Sequence, residues 1–140
     1  MVGGLQPGTS LRTRLNNMST DNETTLADLK RTISQFVEER DWLQFHDPKN
    51  LVLAMTSEVG ELADHFRWVK NTESHALATS PEHSQDVADE LADILMFAVE
   101  FASVCKIDIA SAIADKLDQN AVRYPIDKAK GSSEKYNRFQ

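Results

Sequence analysis

Cysteine is nearly absent from this chain. Cys105 is the only one, so no internal disulfide can form and packing alone must hold the fold, as befits a reducing compartment such as the cytosol. Its place in an apolar stretch suits a packing thiol rather than a reactive one. No apolar run reaches the length of a membrane-spanning helix, which argues against a membrane role. Positive charge is also short: the formal balance is −7, which argues against a nucleic-acid backbone as partner. A nucleotide substrate stays open, provided metal ions neutralise both sides. The histidines (His46, His65, His75, His83) lack a zinc-like spacing. Strand-like alternation is missing from every window, so the predicted class is all-α.

What is present suits one globular domain: 140 residues, 41% apolar and 26% charged. The first 20 residues or so carry Arg12 and Arg14, no acid before Asp21, and several Ser and Thr. Two readings fit: an organelle-targeting segment, or a disordered leader with an internal start at Met18. Either way, residues 1–22 are expected outside the fold, residues 23–125 form the helical domain, and residues 126–140 form a polar tail.

Four helices follow from periodicity and start signals. Leu26, Leu29, Ile33, Phe36 and Val37 recur at helical spacing from Thr24 to about Arg40, with Thr25 and Asp28 as an N-cap pair. Asp47-Pro48 opens a second helix running to about Lys70. Residues 71–79 are polar and aperiodic, and are expected to be a surface loop. Ser80-Pro81-Glu82 opens a third helix reaching about Lys106, and Asp108 caps a fourth that ends before Tyr124-Pro125. The third is apolar nearly all round, from Ile94 to Ala102, and needs covering on several sides. An oligomer is expected.

Two acidic pairs, Glu58-Val-Gly-Glu61 and Glu90-Leu-Ala-Asp93, lie inside the second and third helices. Carboxylates three apart lie one above the other on a helix face. Both pairs border an apolar sector on the same side. If those sectors pack together, four carboxylates converge at the seam, and their repulsion demands cations between them. Oxygen-only ligands favour Mg²⁺, with Mn²⁺ as a substitute. Solvated helix faces carry such pairs too. Gly60 sits between the two glutamates and has two explanations, close helix approach or room for a metal or phosphate.

Trp42 and Trp68 bracket the second helix. Trp42 lies in a polar connection with Phe45 and His46; Trp68 adjoins Arg67 and Lys70. They read as core or interface aromatics, or as faces on which a base stacks beside its phosphates. Lys70, Lys116, Arg123 and Lys128 are candidates for a polyphosphate tail, and Asn120 and Tyr124 offer hydrogen bonds beside Arg123.

The acidic pattern, Glu58-x-x-Glu61 followed after a gap by Glu90-x-x-Asp93, resembles the all-α nucleoside triphosphate pyrophosphatases, the MazG-like superfamily. Arg40-Asp41-Trp42, Phe45-His46, Phe66 to Trp68 with Lys70, Arg123-Tyr124-Pro125 and Ser132-Ser133 with Lys135-Tyr136 are similar to the dCTP pyrophosphatases within it. The resemblance implies a homotetramer of four-helix, bundle-like protomers that hydrolyses dCTP to dCMP and pyrophosphate. It assigns Glu58, Glu61, Glu90 and Asp93 to Mg²⁺ and puts Trp42, Trp68 and His46 near the base. Lys116, Asn120, Arg123 and Tyr124 become phosphate-site candidates. Two residues depart from the pattern: Ile33 stands where a histidine is expected near the base, and Phe97 where a tyrosine is. They bear on base preference rather than hydrolysis. The competing readings are a related pyrophosphatase for another nucleotide, such as dUTP, and a catalytically silent helical assembly.

Overall fold

The computed structural model describes residues 9–138. Those residues are all helical, with no strand among them: α1 (Leu11–Asn17), α2 (Leu26–Glu38), α3 (Pro48–Phe66), α4 (Asn71–Thr79), α5 (Ser84–Val104), α6 (Ile109–Arg123) and α7 (Ile126–Ala129). Short 3-10 turns lie at Leu43–Phe45 and Tyr136–Arg138. The chain divides into two compact units, one ending at Lys106 and one beginning at Ile107. The division falls ahead of α6 rather than at the expected tail boundary after Pro125.

Local cap chemistry fixes most helix starts. Thr25 and Asp28 form a reciprocal capping box: the Asp28 amide donates to Thr25 Oγ1 at 3.1 Å, and the Thr25 amide donates to Asp28 Oδ2 at 3.1 Å. The Thr25 hydroxyl, donating to Asp28 Oδ2 at 2.6 Å, and then the Thr25 amide hold the buried Asp28 carboxyl below its ordinary value, and Arg31 adds to them. Asp47 Oδ1 accepts from the Asn50 amide at 3.0 Å with Pro48 at the first helical position, and Asp108 Oδ1 accepts from the Ser111 amide at 2.8 Å.

In the first unit α3 and α5 pack along each other most extensively, α2 lies against α5, and α1 rests on α2. The fully buried apolar residues Val37, Leu51, Val99 and Ala102 come from α2, α3 and α5. That core is small for the apolar content of these helices. Leu53 and Val59 on α3 and Leu91 and Leu95 on α5 remain exposed.

Four expectations are corrected. Residues 71–79 form helix α4 rather than a loop; it packs against α5 through a side where Leu77 and Ala78 are half-buried. The segment read as a leader contains α1, started by Ser10, whose Oγ accepts from the Thr13 amide. Residues 1–8 of that segment lie outside the described residues. Helix α3 ends at Phe66, not Lys70, and α5 starts at Ser84, because Ser80-Pro81 opens a turn in which the His83 and Ser84 amides donate to the Ser80 carbonyl. The expected extended tail contains α7 and the turn at Tyr136–Arg138. There the Tyr124 and Tyr136 rings meet edge to face at 5.8 Å, and the Arg123 guanidinium lies 5.5 Å from the Tyr136 ring centre.

Candidate active site

Helix α3 carries Glu58 and helix α5 carries Glu90 and Asp93, and the seam between these helices brings the three together. Each offers a carboxylate oxygen, and the three oxygens lie within 4.8 Å of one another, all on half-buried side chains. Burial first, then the charges of Glu61, Asp93 and Glu90, push the Glu58 carboxyl above its ordinary value. Like charges held this close without a basic partner form a hard-oxygen donor set that fits a divalent cation such as Mg²⁺ or Mn²⁺. Glu61, the fourth expected member, is exposed one turn further along α3 and stands outside the group of three, although its charge acts on Glu58.

Gly60 carries no close neighbour: a Cβ built there would meet nothing within 4 Å. Nothing among the described residues therefore demands the glycine.

The same unit contains a cavity of about 440 Å³, walled by α1, α2, α5 and the 3-10 connection. Its lining is almost entirely apolar, with Leu15, Ile33, Phe36, Trp42, Met96 and Phe97 prominent. The connection is well anchored. Asp41 adopts φ 53°, a left-handed conformation that aspartate tolerates better than most side chains, and so ends α2. The Trp42 amide then donates to the Val37 carbonyl at 3.1 Å. The indole meets Phe36 edge to face at 5.8 Å and lies 6.5 Å from the His46 ring. Asn50 Nδ2 donates to the Phe45 carbonyl at 3.1 Å, tying the connection to the start of α3.

The expected base-site residues therefore separate. Trp42 and His46 line the cavity, but Trp68 does not; it is 91% exposed beyond the end of α3. Lys70 is exposed and pairs with Glu73 at 3.7 Å. Lys116, Asn120 and Arg123 lie on α6, with Tyr124 as its C-cap, all within the second unit.

Sequence reasoning passed over three lining features. The first is the wall supplied by Leu11, Leu15 and Met18, which sit at positions i, i+4 and i+7 of the supposed leader. The second is Thr32, buried, with no hydrogen bond for its hydroxyl. The third is Glu100, 2% exposed, whose Oε2 accepts from Ser34 Oγ at 3.4 Å and whose Oε1 lies 3.8 Å from His46 Nδ1. A signal for Glu100 was present. It is the lone charge in the apolar run 94–102, in helical phase with Glu90, Asp93 and Phe97.

Comparison with known proteins places this geometry. Residues 53–139 match the sequence pattern of the MazG-like family. Similar curated proteins are named dCTP pyrophosphatase 1. That of Bos taurus is 40% identical over 136 residues, covering 97% of this chain and 79% of that protein. That of Homo sapiens is 43% identical over 114 residues, covering 81% and 67%. The crystal structure of a pyrophosphatase from Archaeoglobus fulgidus superposes with a TM-score of 0.68 at 27% identity, over 77% of this chain and 99% of that one. With a family pattern spanning more than half of its length and an all-helical fold to match, the chain belongs to the MazG-like family.

Proposed function

We propose that the protein is a metal-dependent nucleoside triphosphate pyrophosphohydrolase that takes dCTP and water to dCMP and pyrophosphate by breaking the anhydride bond between the α and β phosphorus atoms. The observation that carries the reading is the trio of carboxylates from α3 and α5, on the same helix α5 that walls a 440 Å³ apolar cavity. The family membership and the names of the relatives support it from outside the geometry.

Glu58, Glu90 and Asp93 would hold Mg²⁺, or Mn²⁺ in its place, with Glu61 as a further ligand. A bound divalent ion neutralises phosphate charge and makes water a better nucleophile at neutral pH. The protein's own groups do the rest. Glu61, exposed and outside the trio, is the carboxylate freest to take the proton of the attacking water. The acids keep an anionic substrate out until cations are present, so binding of metal and triphosphate is mutually dependent. Trp42 and His46 take the base in the apolar pocket. Trp68 and Lys70, and from the second unit Lys116, Asn120, Arg123 and Tyr124, are assigned to the base and phosphates as in the family pattern.

Ile33 and Phe97 make the pocket more apolar than the pattern expects, which favours acceptance of 5-substituted dCTP analogues. The exposed apolar side chains on α3 and α5 support a homotetramer, and the single unpaired thiol suits the cytosol. No helix among the described residues is long and apolar enough to cross a membrane. Pyrophosphate release measured over all common dNTPs and NTPs with Mg²⁺ tests the reading: dCTP and its 5-substituted forms are expected to have the highest kcat/KM. Preference for dUTP would move the protein to a different substrate, and silence towards every triphosphate would discard hydrolysis.

A further inference from the structure

Glu100 is the most deeply buried charge-bearing side chain of the first unit, and the hydrolytic chemistry has no use for it. It lines the cavity, and its two oxygens offer about four acceptor sites. One donor, the Ser34 hydroxyl, is within hydrogen-bond range, at 3.4 Å. His46 Nδ1 is nearest to the other oxygen at 3.8 Å, beyond hydrogen-bond length, and is itself buried without a hydrogen bond. Thr32, on the α2 wall, adds a buried hydroxyl that also has no hydrogen bond. Polar atoms left like this in an apolar cavity carry a desolvation cost that a bound partner relieves. The partner must bring a hydrogen-bond donor to Glu100 and an acceptor to Thr32 while leaving its flat faces to Phe36, Trp42 and Phe97.

Helix α5 also sets the distance. Glu90, Asp93, Phe97 and Glu100 recur at spacings of three, four and three, within one sector of the helix. Asp93 to Glu100 climbs roughly 10 Å along the axis. The anionic end of a ligand can thus sit at the acids through metal while its other end reaches Glu100.

Resting on the pyrophosphohydrolase reading, we infer that Glu100 is the residue that determines base specificity, its carboxylate accepting from the exocyclic amine of cytosine while the Thr32 hydroxyl donates to the ring nitrogen beside it. Uracil and thymine present a carbonyl oxygen where cytosine presents the amine. Against Glu100 that oxygen sets two acceptors face to face, and the base is rejected.

Two measurements decide it. In the wild-type protein with Mg²⁺, kcat/KM for dCTP is compared with that for the triphosphate of 2-pyrimidinone deoxyriboside, which is cytosine without its amine. A roughly ten- to hundredfold loss is expected for the analogue, the size of a missing directional hydrogen bond in a buried site; equal values overturn the inference. In Glu100→Gln, the preference for dCTP over dUTP is expected to fall at least tenfold. The relative affinity of the protein with Mg²⁺ for dCMP over dUMP, which are not hydrolysed, followed by indole fluorescence, should fall with it. A variant that loses dCTP and dUTP turnover alike, with the affinity ratio unchanged, would show Glu100 to be mere support for His46 and overturn the inference while leaving hydrolysis intact. Absence of pyrophosphate release from every triphosphate would overturn both readings together.

Discussion

At Glu58 the electrostatics of the site become measurable. Burial and three neighbouring acids raise its folded carboxyl above the unfolded value. A raised acid contributes stability that is complete below the unfolded pKa and lost as the pH climbs through the folded one. Metal-free protein should therefore be less stable at about pH 7 than just below the ordinary carboxylate range, as far as this group decides it, and added Mg²⁺ should raise Tm more at neutral pH than in mild acid. Glu58→Gln removes the repelled charge without changing shape: Tm of the metal-free protein is expected to rise at neutral pH, the Mg²⁺-induced shift to shrink, and turnover to vanish. Thermal melts with and without Mg²⁺, beside an activity assay, check all three. Trp42→Ala strips one aromatic wall from the pocket; stacking of roughly 1–3 kcal/mol predicts a KM for dCTP at least several-fold higher, read from initial rates. Glu58, Glu90 and Asp93 were legible in the sequence because two local spacings and one packing assumption suffice to join them. Glu61 was legible as an acid but not as the outlier. Its exposure depends on how α3 rolls against α5, which spacing does not specify.

Among the elements, the starts of α2, α3 and α6 were readable because a cap is a contact over three residues. Helix α4 was not. Its first turn has no side-chain cap, and its apolar content is slight; its helicity comes from docking on α5. Helix α1 was hidden behind a basic, hydroxyl-rich composition, although Leu11, Leu15 and Met18 keep helical phase. The α2 cap supplies a separate test. Thr25→Ala removes the hydroxyl's bonds in the capping box, leaving the Thr25 amide to donate to Asp28, and should cost about 1 kcal/mol in a denaturant titration. Asp28, whose folded carboxyl lies below its unfolded value, stabilises above the unfolded pKa and loses that contribution as pH falls through the folded one. The variant should accordingly show a weaker loss of stability on acidification than the wild type, since Thr25 is the first cause of the shift.

For the whole molecule, the apolar surface exceeds what the core uses. Leu53 is 62% exposed near the middle of α3, and on a helical projection Gly60, two turns on, shares its outward side. A second copy pressed on that side would account for both. Leu53→Asp is expected to shift the proposed tetramer to smaller species in light scattering, with helix content unchanged in far-ultraviolet circular dichroism. An unchanged mass would send the contact to another face. Association of this kind is the least legible property of the sequence. An apolar helix announces that something covers it, and the partner's register is written nowhere in one chain.

The wall contributed by Leu11, Leu15 and Met18 lies ahead of the stretch, residues 53–139, that defines the family. The pocket is then assembled from two lengths of polypeptide, an apolar wall from the opening segment and Glu100 from the body. Grafting the opening segment of one relative onto the body of another should change the room around the base while leaving its hydrogen-bonding choice to Glu100, so the size of base admitted can drift through a part of the gene that a family signature overlooks.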